Sequence, residues 1–384
     1  MPSKFTILGA GNGGQAFAGV LAAKGFDVTL WNRTYSITKK IKKHGGIELT
    51  GVVEGFFENI KTAKKLRNAI KDTDVIMVVT PANAHANLAE KCARYLENDQ
   101  IIVLNPGRTG GALEFHNILH QHEADHRVTV AEAQTLIYVS RALEPGSVEL
   151  RQIKKACPVA AIPAFKTSKV VQELQQLHEE FIPAANVLET GLNNIGAIFH
   201  PTPLILNAAR AECPDECYDH YLDGISPSVG AFLERLDAER VTIAEHFGVK
   251  TQTAIDWLCD VYGGSPSTSL YEGFRSVETY DGIGAPAALE HRYIFEDVPT
   301  GLVPLSSFGR LVGVPTPIID SIVNLISAFF HRDFWLEGRT TSQLGIADMN
   351  AGELITYVET GMKQPIEEFL AFQPLIEEWS HFEG

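Results

Sequence analysis

The first residues in this chain able to grip a ligand are glycines. Phe5 to Gly14 reads Phe-Thr-Ile-Leu-Gly-Ala-Gly-Asn-Gly-Gly, an apolar run passing into Gly9-x-Gly11-x-x-Gly14 and then an Ala-rich helical pattern from Gln15 to Lys24. Gly9 lets a strand turn tightly, Gly11 lets backbone approach a pyrophosphate, and Gly14 lets the helix pack against the sheet. The helix start, with Asn12 and Gly13 in the loop, offers unpaired N–H groups and a positive dipole end to phosphates. With 32 glycines in the chain such spacing also arises by chance. The strand before it and the helix after it select a dinucleotide site over a structural turn.

Two further stretches carry groups that move protons or hold anions. Thr190 to Pro201 contains Asn193, Asn194 and His200. An imidazole titrates near neutrality, so His200 can shuttle a proton beside a hydride-transfer site. His291 to Pro304 is dense in ionisable groups. Asp297 could hold the His200 imidazole in one tautomer and stabilise its cation, and Arg292 could clamp a carboxylate bidentately. The plainer readings are a histidine packed beside Pro201 and a structural ion pair, because spatial adjacency cannot be read from residues so far apart in sequence.

Cofactor choice rests on the end of the second strand, Leu30-Trp31-Asn32-Arg33-Thr34. Asn32 stands where an acid normally binds the ribose 2′-hydroxyl, and Arg33 with Thr34 can serve a 2′-phosphate. This chemistry favours NADP and leaves NAD open; the alternative for Arg33 is a solvated surface cation. Pro81, Asn105 and Gly107 fall at strand carboxyl ends, where such folds bind ligands, and are further cofactor-cleft candidates, although Gly and Pro there also serve as turn punctuation.

The elements that must position these groups fall into two halves. From residue 1 to 188, apolar strands (Phe5–Leu8, Asp27–Trp31, Val75–Thr80, Ile101–Leu104, Val128–Ala131, Val148–Ile153, Val159–Ile162) alternate with helical patterns, as in a doubly wound α/β sheet of Rossmann type. The last strands have no clear helix between them, so that edge is expected to be antiparallel. From 189 to 384 long helical patterns take over (Leu192–Ala211, Val229–Phe247, Thr251–Val261, Ile318–His331, Gly352–Met362), giving an all-helical second domain facing the first across a cleft.

Composition narrows the class. A net charge of −15 argues against a nucleic-acid partner. The apolar stretch Ile318 to Phe330 is interrupted by Asp320, Ser321, Asn324 and Ser327 and is too short to span a bilayer, so no membrane partner is expected. Met1-Pro-Ser-Lys runs at once into a strand pattern, so no signal peptide is expected. The five scattered cysteines suit a reducing cytoplasm. His116, His120, His122 and His126 form two i,i+4 pairs, but no carboxylate or cysteine completes a ligand set, so no metal is expected. Phe329, Phe330, Phe334 and Trp335 suit either core or a subunit contact, which leaves a homodimer open.

Taken in order, several motifs resemble those of the opine dehydrogenase family, the octopine/nopaline dehydrogenase type. They are Gly9-x-Gly11-x-x-Gly14, Asn105-Pro106-Gly107, Asn193-Asn194 with His200-Pro201, and Arg292 to Asp297 followed by Pro299-x-Gly301-Leu302-Val303-Pro304. The resemblance covers nearly the whole chain. It implies reductive condensation of an amino acid's α-amine with a 2-oxo acid such as pyruvate, through an imine reduced by NAD(P)H. It also implies that His200 and Asp297 form a catalytic dyad, that Arg292 holds the 2-oxo acid carboxylate, and that Glu132 helps position the amino substrate. Two competitors are kept. An oxidoreductase of the ketopantoate reductase or glycerol-3-phosphate dehydrogenase type would share the two-domain plan, but those enzymes usually rely on a lysine opening the helical domain, and no lysine occurs between 170 and 248. The other competitor is a module that senses NADP without turnover.

Overall fold

The β strands of the first half are short apolar runs that bury both faces, which requires helices on either side of the sheet. The computed structural model describes residues 3–213, 215, 217–263 and 267–363. Its strands are β1 (Lys4–Leu8), β2 (Asp27–Trp31), β3 (Ile47–Gly51), β4 (Gly55–Phe57), β5 (Ile60–Ala63), β6 (Val75–Val78), β7 (Ile101–Leu104), β8 (Thr129–Ala133), β9 (Tyr138–Glu144), β10 (Ser147–Ile153), β11 (Cys157–Ile162) and β12 (Phe181–Pro183). Eight of them form one sheet in the order β12-β11-β8-β7-β6-β1-β2-β5. All its pairs are parallel except β8 with β11. Successive strands are added on opposite sides of β1, β2 and β5 on one side and β6, β7 and β8 on the other, and a doubly wound sheet opens its ligand crevice at such a switch point.

The remaining strands form a second sheet, β4-β3-β10-β9. Val148–Ile153 was expected at the edge of the main sheet; as part of β10 it pairs instead with β3 and β9. The small sheet lies on the first helix, Asn12–Ala23, where Ala142 N–H donates to Asn12 Oδ1 at 3.0 Å and Gly146 N–H to Gln15 Oε1 at 2.8 Å. Leu49 fits over Gly19, where a Cβ would meet Leu49 Cδ2 at 2.9 Å. Pairing of β3 with β10 joins strands roughly a hundred positions apart, which no local pattern announces.

From Val187 onward the described secondary structure is helical apart from one isolated bridge, Asp219 with Gly284. The apolar pattern Leu192–Ala211 is not one helix but several: Val187–Leu192, Gly196–Phe199, Pro201–Leu206 and Ala208–Ala211. Pro201 and Pro203 lack the N–H that a continuous helix would need and occupy the first turn of a new one. Residues 364–384, assigned to the helical half from sequence, lie outside the described residues.

One apolar core joins the halves: Leu8, Val78 and Leu104 from the sheet cluster with Leu233, Leu236, Phe308 and Ile319 from the helices. Polar ties reinforce it. Thr109 N–H donates to Thr300 O at 3.1 Å and Asn83 Nδ2 to Phe295 O at 3.2 Å. Arg339 is buried and fastens the loops at the strand ends, donating to the carbonyls of Gly107 (2.9 Å), Thr109 (3.2 Å) and Ala82 (3.1 Å) and pairing with Glu114 at 2.8 Å. Among the described residues no helix is long and apolar enough to cross a membrane.

Candidate active site

The glycine loop sits at the switch point, and close contacts explain its residues. Gly9 has φ +121°, and a Cβ there would lie 2.2 Å from Val79 O; at Gly14 a Cβ would lie 1.8 Å from Gly9 O. Both positions therefore exclude any side chain. At Gly11 a Cβ would meet nothing within 4 Å, which leaves open space for a ligand against the start of the helix. The N-cap there is Gly11 itself, with no side chain to occupy the first-turn N–H groups. Asn32 Oδ1 accepts from Ala10 N–H at 3.0 Å and its Nδ2 donates to Thr34 O at 3.1 Å, so Asn32 braces the loop against the end of β2. Arg33 is exposed.

A cleft of about 600 Å³ runs from this loop into the helical half. Gly11, Asn12, Gly13, Pro81 and Asn105 line one end; His200, Arg292 and Glu296 line the other. Two buried polar atoms on the sheet side, Thr80 Oγ1 and Asn105 Oδ1, have no hydrogen-bond partner in the protein. Buried polar groups left this way call for a partner from outside the chain, and with the open space at Gly11 they fit a dinucleotide lying along the strand ends.

At the far end His200 occupies the break between two short helices. Its Nδ1 lies 2.9 Å from Asp297 Oδ2. An ionised carboxylate only accepts, so Nδ1 carries the proton and Nε2 is left as the acceptor. The ring stacks on Tyr293, with centroids 4.2 Å apart and planes 8° from parallel. Asp297 is fully buried, and Arg108 Nη1 approaches its Oδ1 at 3.3 Å. Burial works against the Asp297 carboxylate, yet Arg108, His200 and Arg292 together hold its pKa below the usual carboxylate range. Arg108 also reaches Glu296 Oε1 at 3.5 Å, Arg292 pairs with Glu296 Oε2 at 2.9 Å, and Glu296 Oε1 accepts Ala82 N–H at 3.2 Å. Arg292 keeps half its surface exposed and borders the cleft, so it can turn toward a substrate anion.

The comparisons with known proteins agree with this geometry. Residues 183–330 match the family described as NAD/NADP octopine/nopaline dehydrogenase, alpha-helical domain, and residues 4–130 match the NAD-dependent glycerol-3-phosphate dehydrogenase N-terminus. An opine dehydrogenase of Arthrobacter sp. (strain 1C) is 41% identical over 92% of this chain and 98% of its own length. The chain belongs to the opine dehydrogenase family. It is accordingly an NAD(P)-dependent oxidoreductase acting on a CH–NH bond. The fold is shared with octopine dehydrogenase solved with NADH and L-arginine (TM-score 0.78, 22% identity, 94% of this chain and 99% of that one). It is also shared with NADP+-bound yersinopine dehydrogenase (TM-score 0.71, 17% identity, 93% and 98%).

Within this opine dehydrogenase fold not every residue singled out from sequence reaches the cleft. Glu132 is fully buried beneath it, where Oε2 accepts Ala112 N–H at 2.7 Å and Oε1 accepts the Thr190 hydroxyl at 2.6 Å. Its oxygens brace these loops and it is not among the residues lining the cleft, so any help it gives in positioning the amino substrate passes through them. Burial pushes its pKa up to about 7, against those hydrogen bonds and the Arg339 charge. Gly107 is the counterpart of this packing, since a Cβ there would lie 2.1 Å from Glu132 Oε2. Of the histidines in the 116–126 segment, His116 Nδ1 lies 2.9 Å from Tyr357 Oη, whereas His120 and His126 flank Asp125 at 2.9 and 3.9 Å. Among the described residues no group of three His, Cys, Asp or Glu is placed to hold a metal.

Sequence reasoning missed Arg108, the cation that joins the two halves of the site. It follows directly on Asn105-Pro106-Gly107 at the end of β7, and an arginine at a strand carboxyl end was the available signal. Tyr293 was also missed, because a stacking partner for His200 looks like any core aromatic until the two are brought together.

Proposed function

We propose that this chain condenses the α-amine of an amino acid with a 2-oxo acid such as pyruvate and reduces the imine with NADPH, with NADH as the weaker donor. The observation that carries this reading is the His200–Asp297 couple, fixed by Arg108, with His200 lining one cleft together with the glycine loop and Arg292. His200 Nε2 accepts the proton released as the amine attacks the carbonyl, and returns it when water leaves the carbinolamine. Asp297 holds the tautomer and offsets the charge of the imidazolium. Arg292 fixes the 2-oxo acid by its carboxylate, which sets the face of the carbonyl carbon. The nicotinamide, when bound, supplies the hydride that the imine carbon accepts.

Solved octopine dehydrogenase is described in complex with NADH and either L-arginine or pyruvate, which is the same pair of substrate classes. Preference for NADPH rests on Arg33, exposed just beyond β2 with Thr34 beside it and free to meet a 2′-phosphate. The five free cysteines support a cytoplasmic setting. The deciding experiment is NADPH oxidation across amino acids crossed with 2-oxo acids. Turnover that requires both together supports condensation, turnover with a 2-oxo acid alone returns the reading to a simple reductase, and binding of NADPH with no turnover leaves a sensing module.

A further inference from the structure

The cations at the reaction end of the cleft are already matched by acids: Arg108 by Glu296 and Asp297, and Arg292 by Glu296. Lys154 is not. It follows β10 and lines the same cleft, and its Nζ donates to the Thr135 hydroxyl at 2.5 Å. Among the described residues it makes no ion pair. Its titratable neighbour Cys157 is a buried thiol whose pKa is pushed up to about 12, so it supplies no negative charge. Burial lowers the Lys154 pKa to about 8, the direction expected of an ammonium without a counter-ion, and it stays cationic at neutral pH.

Lys154 also stands at a doorway. Together with Gln134, Thr135, Asn193 and Trp257 it borders a second chamber of about 360 Å³ beside the cleft. The product of joining an amino acid to a 2-oxo acid is a secondary amine with a carboxylate on each side. Arg292 accounts for one of the two. An enzyme reducing a 2-oxo acid alone would have no second carboxylate to place, whereas this cleft carries, besides Arg292, a cation with no acid partner.

We infer that Lys154 binds the α-carboxylate of the amino donor, so that the donor's side chain projects into the adjoining chamber. The assignment rests on the condensation reading above. Its geometry makes the chamber, and not the reaction end of the cleft, the part that selects among amino acids.

Full-length Lys154→Met and Lys154→Arg variants test it in steady-state synthesis, with NADPH binding followed by fluorescence to confirm an intact fold. Loss of a charge-assisted contact predicts that Lys154→Met raises the KM for the amino acid roughly 10–100-fold while the KM for the 2-oxo acid and NADPH affinity stay within about twofold. Lys154→Arg should recover most of the loss. A primary amine lacking the carboxylate should be poorer than the amino acid for the wild type but nearly equal to it for Lys154→Met. An unchanged amino-acid KM, or a loss falling equally on NADPH or the 2-oxo acid, overturns the assignment and leaves condensation standing. Wild-type turnover without any amine overturns both.

Discussion

Substituting Asp297 with Asn should disable the proton shuttle without disturbing cofactor binding. Arg108 has only donors and sits 3.3 Å from one oxygen of the Asp297 carboxyl, while His200 Nδ1 sits 2.9 Å from the other. An amide in this place turns its oxygen toward Arg108, which leaves its NH2 facing the imidazole. Nδ1 must then accept, the ring proton moves to Nε2, and the nitrogen that meets the substrate can no longer take a proton. Loss of a positioned general base costs on the order of 10²–10⁴-fold. At 1.36 kcal/mol per factor of ten this is about 3–5 kcal/mol of barrier. The assay is kcat/KM for condensation alongside NADPH affinity by fluorescence titration. Activity within about threefold of wild type would refute the tautomer argument, and a matching loss of NADPH affinity would show that Asp297 acts through the fold.

Four other substitutions separate the roles of individual residues. Gly11→Ala should leave the melting temperature unchanged while weakening NADPH about tenfold or more, because the new methyl enters open ligand space; Gly14→Ala, whose Cβ would lie 1.8 Å from Gly9 O, should lower the melting temperature as well. Arg33→Ala should weaken NADPH far more than NADH in paired titrations, and equal losses would return Arg33 to the solvated surface. Glu132 has a folded-state pKa of about 7, above its ordinary value, so between roughly pH 4.5 and 7 the unfolded chain has lost a proton that the folded chain keeps. Stability must fall as pH rises through that window, and Glu132→Gln should flatten the fall when melting temperatures are compared across it.

The glycine loop was readable because its constraint is local: strand, tight turn and helix lie within a few residues, and the contacts that forbid a Cβ at Gly9 and Gly14 follow from that turn and the neighbouring strand. The alternation of strands and helices was readable for the same reason. The small sheet was not, since β3, β4 and β9 carry no pattern that says which distant strand they join. The division of Leu192–Ala211 into short helices was written in Pro201 and Pro203, yet the apolar periodicity of the stretch masked it. Glu132 illustrates a different limit. A glutamate in sequence looks available for a ligand, and only its burial against Ala112 and Thr190 shows that the fold itself uses both oxygens.

The sequence by itself showed the glycine loop of a dinucleotide site and the half that carries it, because that signal rests on residue type at short spacing, and it offered His200, Asp297 and Arg292 as candidates through the family resemblance. Tertiary structure alone decided that His200 meets Asp297, that Arg108 holds that aspartate, and that Lys154 faces the same cleft with no acid beside it. The Asp297–His200 contact joins residues 97 positions apart, and Arg108 reaches the adjacent Glu296 across 188. Long-range proximity of this kind comes from packing a whole core, and no local pattern of side chains encodes it.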